Sequence, residues 1–425
     1  MKFIRTASTR RLLGVIAAAV VVIVAGAAIA VAAAGRGPVP PPRSLAQALH
    51  NALRGGKVAG ISADITFTNN LIGSSDFTGG AGDPILQGAT GRLWVAADGR
   101  LRLELQSSNG DSQIVVDQRS FWVSDPASST VYEGTLPAAT AHARTASKPA
   151  TGAIPSVAQI QTDLTDLAKR VDLTGARPTD VAGQAAYSVT VSPKHDGGLL
   201  GSAEAAWDAI RGVPLDIAVY ARGNSTPVLE LKASNISYGR VAASDFAVSP
   251  PAGDKLVRIA GASTAAINPT APMIAHAHAH AHAHAHAHAT REHAVTGVAA
   301  VAAKLSFHFA PPSTLVGLPR HDVALLDWAG TPAALVTYGE NLGGIAVIEQ
   351  RAGSGSAAPK AATQSSGPSG SGLSLPTVSI NGATGQELDT ALGTVVRFTS
   401  GGVAYTVLGS VPAAAADEAA RALTR

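Results

Sequence analysis

The chain is predicted to be an α+β protein built mostly of antiparallel β-sheet. Residues 91–137 begin GRLWVAADGRLRLEL, where Leu101, Leu103 and Leu105 alternate with Arg102 and Glu104, the period of a strand with one dry and one wet face. Asp98-Gly99 lies between two such runs and marks a hairpin turn. Further strand-like runs recur at 114–116, 121–123, 187–191, 215–220, 228–232 and 236–238.

Taken from the start, residues 1–11 carry Lys2, Arg5, Arg10 and Arg11 and no acid, and residues 12–34 carry no charge at all. At ~1.5 Å rise per residue such a helix crosses the ~30 Å hydrocarbon core of a bilayer. The basic flank keeps the N-terminus cytoplasmic, so the rest of the chain is expected outside the cytoplasm on a single-pass anchor. A cleaved signal peptide is the competing reading, with Ala32, Ala33 and Ala34 as small cleavage-site residues, but the apolar run exceeds the ~7–15 residues of a signal core. Residues 35–43, with Pro38, Pro40, Pro41 and Pro42, read as a stiff spacer.

Ser44 is a candidate N-cap for a short amphipathic helix presenting Leu45, Leu49 and Ala52, with Gly55-Gly56 as its stop. Ile61, Ala63, Ile65 and Phe67 then alternate with polar residues as a first strand, and residues 69–83 read as a Gly-rich loop. After the strands of 91–137, helical spacing returns at Val157, Ile160, Leu164 and Leu167. The late strands follow. Domain one is expected to span 44–256, a low-complexity linker 257–294, and a smaller β-rich domain 295–425, which has a disordered insert at 351–372 and ends in a helix at 413–423.

Residues GRLWV, an Asp-Gly turn, then SQIVVDQRSFWVSDP and a closing Ser249-Pro250-Pro251-Ala252-Gly253 resemble the pattern of the LolA/LolB-type lipoprotein carriers. That resemblance covers 44–256 and implies an incomplete, half β-barrel plugged by helices around a hydrophobic cavity. The carriers place an Arg-Pro pair after GxLWV, and here those places hold Ala97 and Asp98. The two-domain plan is similar to periplasmic sigma-factor regulators of the MucB/RseB type. On this reading residues 157–171 form the plug.

An open curved sheet capped by short helices has too few facing side chains to fill its concave side, and an apolar concavity is a default ligand site. The expected lining is Ile65, Phe67, Leu93, Trp94, Leu101, Leu103, Leu105 and Trp122, although alternation alone leaves open which tryptophan points inward. The implied partner is a lipid, an acyl chain or a lipidated protein. The alternative is a regulatory contact with a membrane anti-sigma factor.

Other classes find less support. The first eleven residues supply +4 of the formal net charge of +3, so the remainder sums to −1 and no basic groove for nucleic acid is indicated. No cysteine is present, which removes disulfides, thiolate chemistry and zinc-thiolate sites. No GxSxG, HExxH or phosphate-gripping loop occurs, and the adjacent pairs His195-Asp196 and His321-Asp322 lack a nucleophile at motif spacing, so an enzyme is not expected and no cofactor is called for. His276, His278, His280, His282, His284, His286 and His288 alternate with alanine. Neutral imidazoles in that array bind Zn²⁺ or Ni²⁺ adventitiously, but no carboxylate in the run fixes a geometry, and a repeat-expanded linker is the favoured reading.

Overall fold

The computed structural model describes residues 39–56, 58–72, 84–108, 110–117, 119–136, 154–259, 295–328, 331–353 and 375–424. The uncharged run 12–34, the alternating histidines and most of the insert placed at 351–372 lie outside the described residues. Arg351 itself closes a strand, so the insert starts later than the Gly/Ser composition suggested. Among the described residues no helix is long and apolar enough to cross a membrane.

The first half opens with helix α1 (Leu45–Arg54) and strand β1 (Gly60–Asn69), then a short turn of helix α2 (Pro84–Gln87). Strands β2 (Ala89–Ala96), β3 (Leu101–Leu105), β4 (Ser112–Asp117), β5 (Ser120–Asp125) and β6 (Thr130–Thr135) form a meander. Helix α3 (Val157–Leu167) follows, and then β7 (Val171–Leu173), β8 (Arg177–Val181), β9 (Gln184–Pro193), β10 (Leu200–Asp208), β11 (Pro214–Ala221), β12 (Pro227–Tyr238) and β13 (Lys255–Ile259).

These strands make one curled half-barrel sheet in the order β13-β6-β5-β4-β3-β2-β1-β12-β11-β10-β9-β7, with β8 also on β9. All pairings are antiparallel except β13 on β6. Gly99, at φ +91°, supplies the left-handed residue of the β2–β3 turn. Residues 228–232 and 236–238, which read as two strands, are one: Asp64 pairs with Asn235 and Ile65 with Ala233, so Ser234 is an unpaired bulge residue. The polar run there looked like a strand end because a bulge shifts the alternation by one.

Both main helices start as their sequences dictate. Ser44 Oγ accepts from the Gln47 amide and the Gln47 side chain reaches back to the Ser44 amide, a capping box, and Ser156 caps α3 through the Gln159 amide. His50 on α1 shares a 2.8 Å hydrogen bond with the Pro155 carbonyl at the start of α3, which ties the two helices together.

The second half contains α4 (Val298–Ala302), β14 (Thr314–Leu315), β15 (Leu318–Trp328), β16 (Thr331–Tyr338), β17 (Ile345–Arg351), β18 (Thr377–Ile380), β19 (Ala383–Thr390), β20 (Gly393–Ser400), β21 (Val403–Gly409) and α5 (Ala413–Ala422). Its eight strands form a fully antiparallel sheet, β14-β15-β16-β17-β21-β20-β19-β18. Ala416, Ala419 and Ala420 of α5 are completely buried against Val396, Phe398 and Val407, because alanine lets the helix approach the sheet until the large strand residues fill the gap. The two halves meet where the Leu199 amide donates to the Ser410 carbonyl (3.0 Å) and the Ala391 amide to the Leu71 carbonyl (2.8 Å).

Candidate functional site

Residues paired directly across antiparallel strands share a face, so the registers trace which side chains line the inside of the half-barrel. One row runs Val189, Ala205, Ile217, Leu231, Phe67, Ala89 across β9, β10, β11, β12, β1 and β2. A second, on the same face, runs Ile236, Ala63, Leu93, Leu103, Ile114, Val123, Tyr132 from β12 to β6. Both rows are apolar.

Helix α1 covers one end of this face. Leu45, Ala48, Leu49 and Ala52 pack on Tyr187, Val189 and Trp207 of β9 and β10, and α3 packs on α1. Helix α1 thus lies on the sheet and α3 packs on α1; the helix expected over 157–171 ends at Leu167, and Val171 opens β7.

In the second row Ile236, Ala63 and Leu103 are buried, while Leu93, Ile114, Val123 and Tyr132 are half-buried. Ile65, Leu101, Leu103 and Leu105 are buried in one cluster with Ile61, Val95 and Val116, so these four belong to a packed core and not to an open cavity. Every member of the first row is only half-buried. Phe67 belongs to it, and Leu93 in the second row is likewise half-buried. Sequence reasoning missed Val189, Ala205, Ile217 and Leu231, which reach this face from the late strands through a register the sequence does not display.

Trp94 and Trp122 are on the other face. Trp94 pairs with Arg102 and Trp122 with Val115, each out of phase with Leu93 and Val123. The signal was present: Trp94 is two residues from Arg92, and Trp122 two from Ser120 and Ser124, polar neighbours of the same parity. On this convex face the Arg102 guanidinium lies 4.9 Å from the Trp94 ring centre, bonds Glu104 at 2.6 Å and donates to the Asp245 carbonyl at 3.2 Å. Phe246 folds down beside it under Arg100, and a cleft of about 410 Å³ remains between Val115, Asp117, Ser120, Trp122 and residues 246–249.

Charge follows the same division. Asp216, Glu230 and Lys232 point to the convex side, where the Asp216 carboxylate 2.8 Å from Lys232 Nζ holds the ammonium above its ordinary pKa. At the α1 end Asp208 and Arg211 are buried together: the Asp208 carboxylate accepts from the Ile210 and Arg211 amides (2.8 Å each), Arg211 Nη1 (2.9 Å) and Tyr238 Oη (2.8 Å). Burial, then the Asp208 charge, pushes the Tyr238 phenol up, so it stays a donor. A carboxylate so fully bonded fixes the β10–β11 turn and offers nothing reactive.

The remaining sequence candidates do not converge. Asp196 accepts from the Gly198 amide and pairs with Arg222, and Asp322 accepts from the Val323 amide. Among the described residues no group of three or more His, Asp or Glu could hold a metal ion. The concave rows supply only apolar surface, and what they can do chemically is desolvate an apolar ligand.

No family model matches this sequence, and no curated protein matches it. Among solved structures the chain is similar to MucB in the complex of Pseudomonas aeruginosa MucA/MucB, at 16% identity and a TM-score of 0.38, covering 88% of this chain and 96% of that one. It is also similar to an uncharacterized conserved protein from Thermus thermophilus (9% identity, TM-score 0.31, 50% and 98% covered). A putative outer membrane lipoprotein-sorting protein domain from Vibrio parahaemolyticus aligns at 12% identity and a TM-score of 0.18, over 48% of this chain and 96% of that one.

Proposed function

We propose that this protein is an extracytoplasmic, membrane-anchored binding protein that holds a lipid, or the acyl chain of a lipidated protein, against the concave face of its half-barrel. The observation that supports this is the apolar row from Val189 to Ala89, which crosses six strands without one side chain becoming fully buried. Past the strands that α1 covers, the row runs over β11, β12, β1 and β2, about 14 Å at ~4.8 Å per strand, which matches the ~15 Å that one acyl chain spans in half a bilayer core. Each methylene moved from water onto it contributes ~0.8 kcal/mol, so about ten offset an association cost on the order of 8 kcal/mol. The competing reading is a protein contact with a membrane anti-sigma factor.

The test is a titration of the full chain, held in a nanodisc, with a fluorescent polyene fatty acid. Saturable binding that Leu231→Glu and Phe67→Glu each remove supports the reading, since a carboxylate there must be desolvated or protonated. A wild-type chain that binds no probe yet captures one membrane protein would make the half-barrel a scaffold for the protein contact instead.

A further inference from the structure

We propose that the α1 pole of the half-barrel is a docking surface for an anionic phospholipid bilayer. This rests on reading residues 12–34 as a retained anchor, and it adds a second membrane contact made by the folded domain.

Position comes first. Tyr187 Oη donates to the Pro41 carbonyl at 2.6 Å, which fixes the chain onto the half-barrel at that residue. Only residues 35–40 separate that point from the end of the uncharged run, and at ~3.3–3.6 Å per residue they reach about 20 Å at most. The pole that holds Pro41 is therefore kept beside the membrane. The second sheet is attached at the other end of the β9–β10 hairpin, through residues 195–199, and β10 separates the two ends by about 30 Å.

The surface at that pole is apolar where most of the protein is not. Six large hydrophobic residues are exposed among the described residues, and four of them, Val39 (60%), Leu53 (55%), Ile154 (42%) and Ile210 (64%), surround α1. Leu53 and Ile210 belong to interlocked segments: a Cβ on Gly55 would meet the Arg211 carbonyl, and one on Gly212 would meet the Ala52 carbonyl. Ile154 precedes the Pro155 carbonyl that binds His50 of α1. A patch of this kind marks an interaction surface.

Charge selects the occupant. Residues 35–63 contain Arg36, Arg43, Arg54 and Lys57 and no aspartate or glutamate, and Arg43 and Arg54 are exposed. The nearby Asp208 is buried and bonded to Arg211 and Tyr238, so it does not offset them, and the exposed Asp180 of β8, opposite Ala185, is balanced by the exposed Arg177 of the same strand. Basic side chains rimming exposed apolar ones suit the interface of an anionic bilayer. A patch this small binds weakly on its own, but a tether of about 20 Å makes the contact intramolecular and raises its effective concentration.

The absence of cysteine makes the test direct. Leu53→Cys, Ile210→Cys and, as a distant control, Glu340→Cys are each introduced into the full chain and labelled with an environment-sensitive fluorophore. The chains are then reconstituted into vesicles of phosphatidylglycerol and phosphatidylcholine carrying a doxyl-lipid quencher. Quenching and a blue shift at 53 and 210, but not at 340, are expected. Arg43→Gln or Arg54→Gln should lower the docked-to-undocked ratio about fivefold each. If 53 and 210 stay as unquenched as 340 while intact mass shows the anchor present, the proposal is wrong; so too if these sites are shielded only on adding a membrane protein. If intact mass shows a cut near Gly35, the anchor reading fails by itself. Vesicles are then added to the cut chain: quenching at 53 and 210 keeps the docking surface, and none ends it.

Discussion

The two sheets are built from the same alternation and end in opposite states. In the eight-stranded sheet α5 lays Ala416, Ala419 and Ala420 along β20 and β21, and Val336, Val347, Val396 and Val407 are fully buried beneath the helices. In the half-barrel α1 makes a comparable contact through Ala48 and Ala52, but only over β9 and β10. From β11 to β2 the row Ile217, Leu231, Phe67, Ala89 stays half-buried. Alternation specifies that a face is dry, whereas a facing element long enough to cover it decides whether that face becomes core.

The contrast can be broken most strongly in the closed sheet. Phe398 is buried and stacks on Tyr405 with ring centres 5.0 Å apart, so Phe398→Ala should cost about 3–5 kcal/mol in chemical denaturation of the small domain. A loss under 1 kcal/mol would mean that this face is not filled.

Glu349 probes the same closed face by pH. Its side chain is buried there, and burial pushes its carboxyl from 4.5 up to about 7. Between those values the folded state keeps a proton that the unfolded chain has released, so stability falls as pH rises from about 4.5 to about 7. Glu349→Gln should recover about 3 kcal/mol at pH 7 and nothing at pH 4, read from paired denaturation curves. Parallel curves for the two chains across this range would refute a buried carboxyl.

Smaller effects belong to the open face. Phe67→Ala should cost only about 1 kcal/mol, because the ring is half-buried, while it weakens the fatty-acid probe severalfold. A core-sized stability loss would place Phe67 in a filled interior and erase the distinction between the sheets. Smallest is the deletion of residues 275–289, proposed as linker: both thermal transitions should stay put while Zn²⁺ or Ni²⁺ binding disappears, and the same binding should vanish in the intact chain near pH 5 as the imidazoles protonate.

Much of the fold was legible where one residue type carries one physical message. The Leu101–Leu105 alternation, the Asp98-Gly99 turn and the Ser44 cap all stand where local chemistry puts them. Strand β10 was not legible, because LGSAEAAWD is made of small residues with little β preference and becomes a strand through its neighbours β9 and β11. The candidate site was half legible for a related reason. Phe67 and Leu93 declare a dry face by parity, but Ala205, Ile217 and Leu231 join that face only through strand register, a long-range property. The tryptophans misled through size: large aromatics suggested a pocket, and parity had already assigned both to the side of Arg92 and Ser124.

Native mass spectrometry of the full chain, purified from the cells that make it, tests the open concave face most directly. The account predicts a lipid-sized mass increment that collisional activation removes, present in wild type and absent in Leu231→Glu, with both chains folded by circular dichroism. A wild-type chain that carries no such increment and takes up none from added lipid would contradict it.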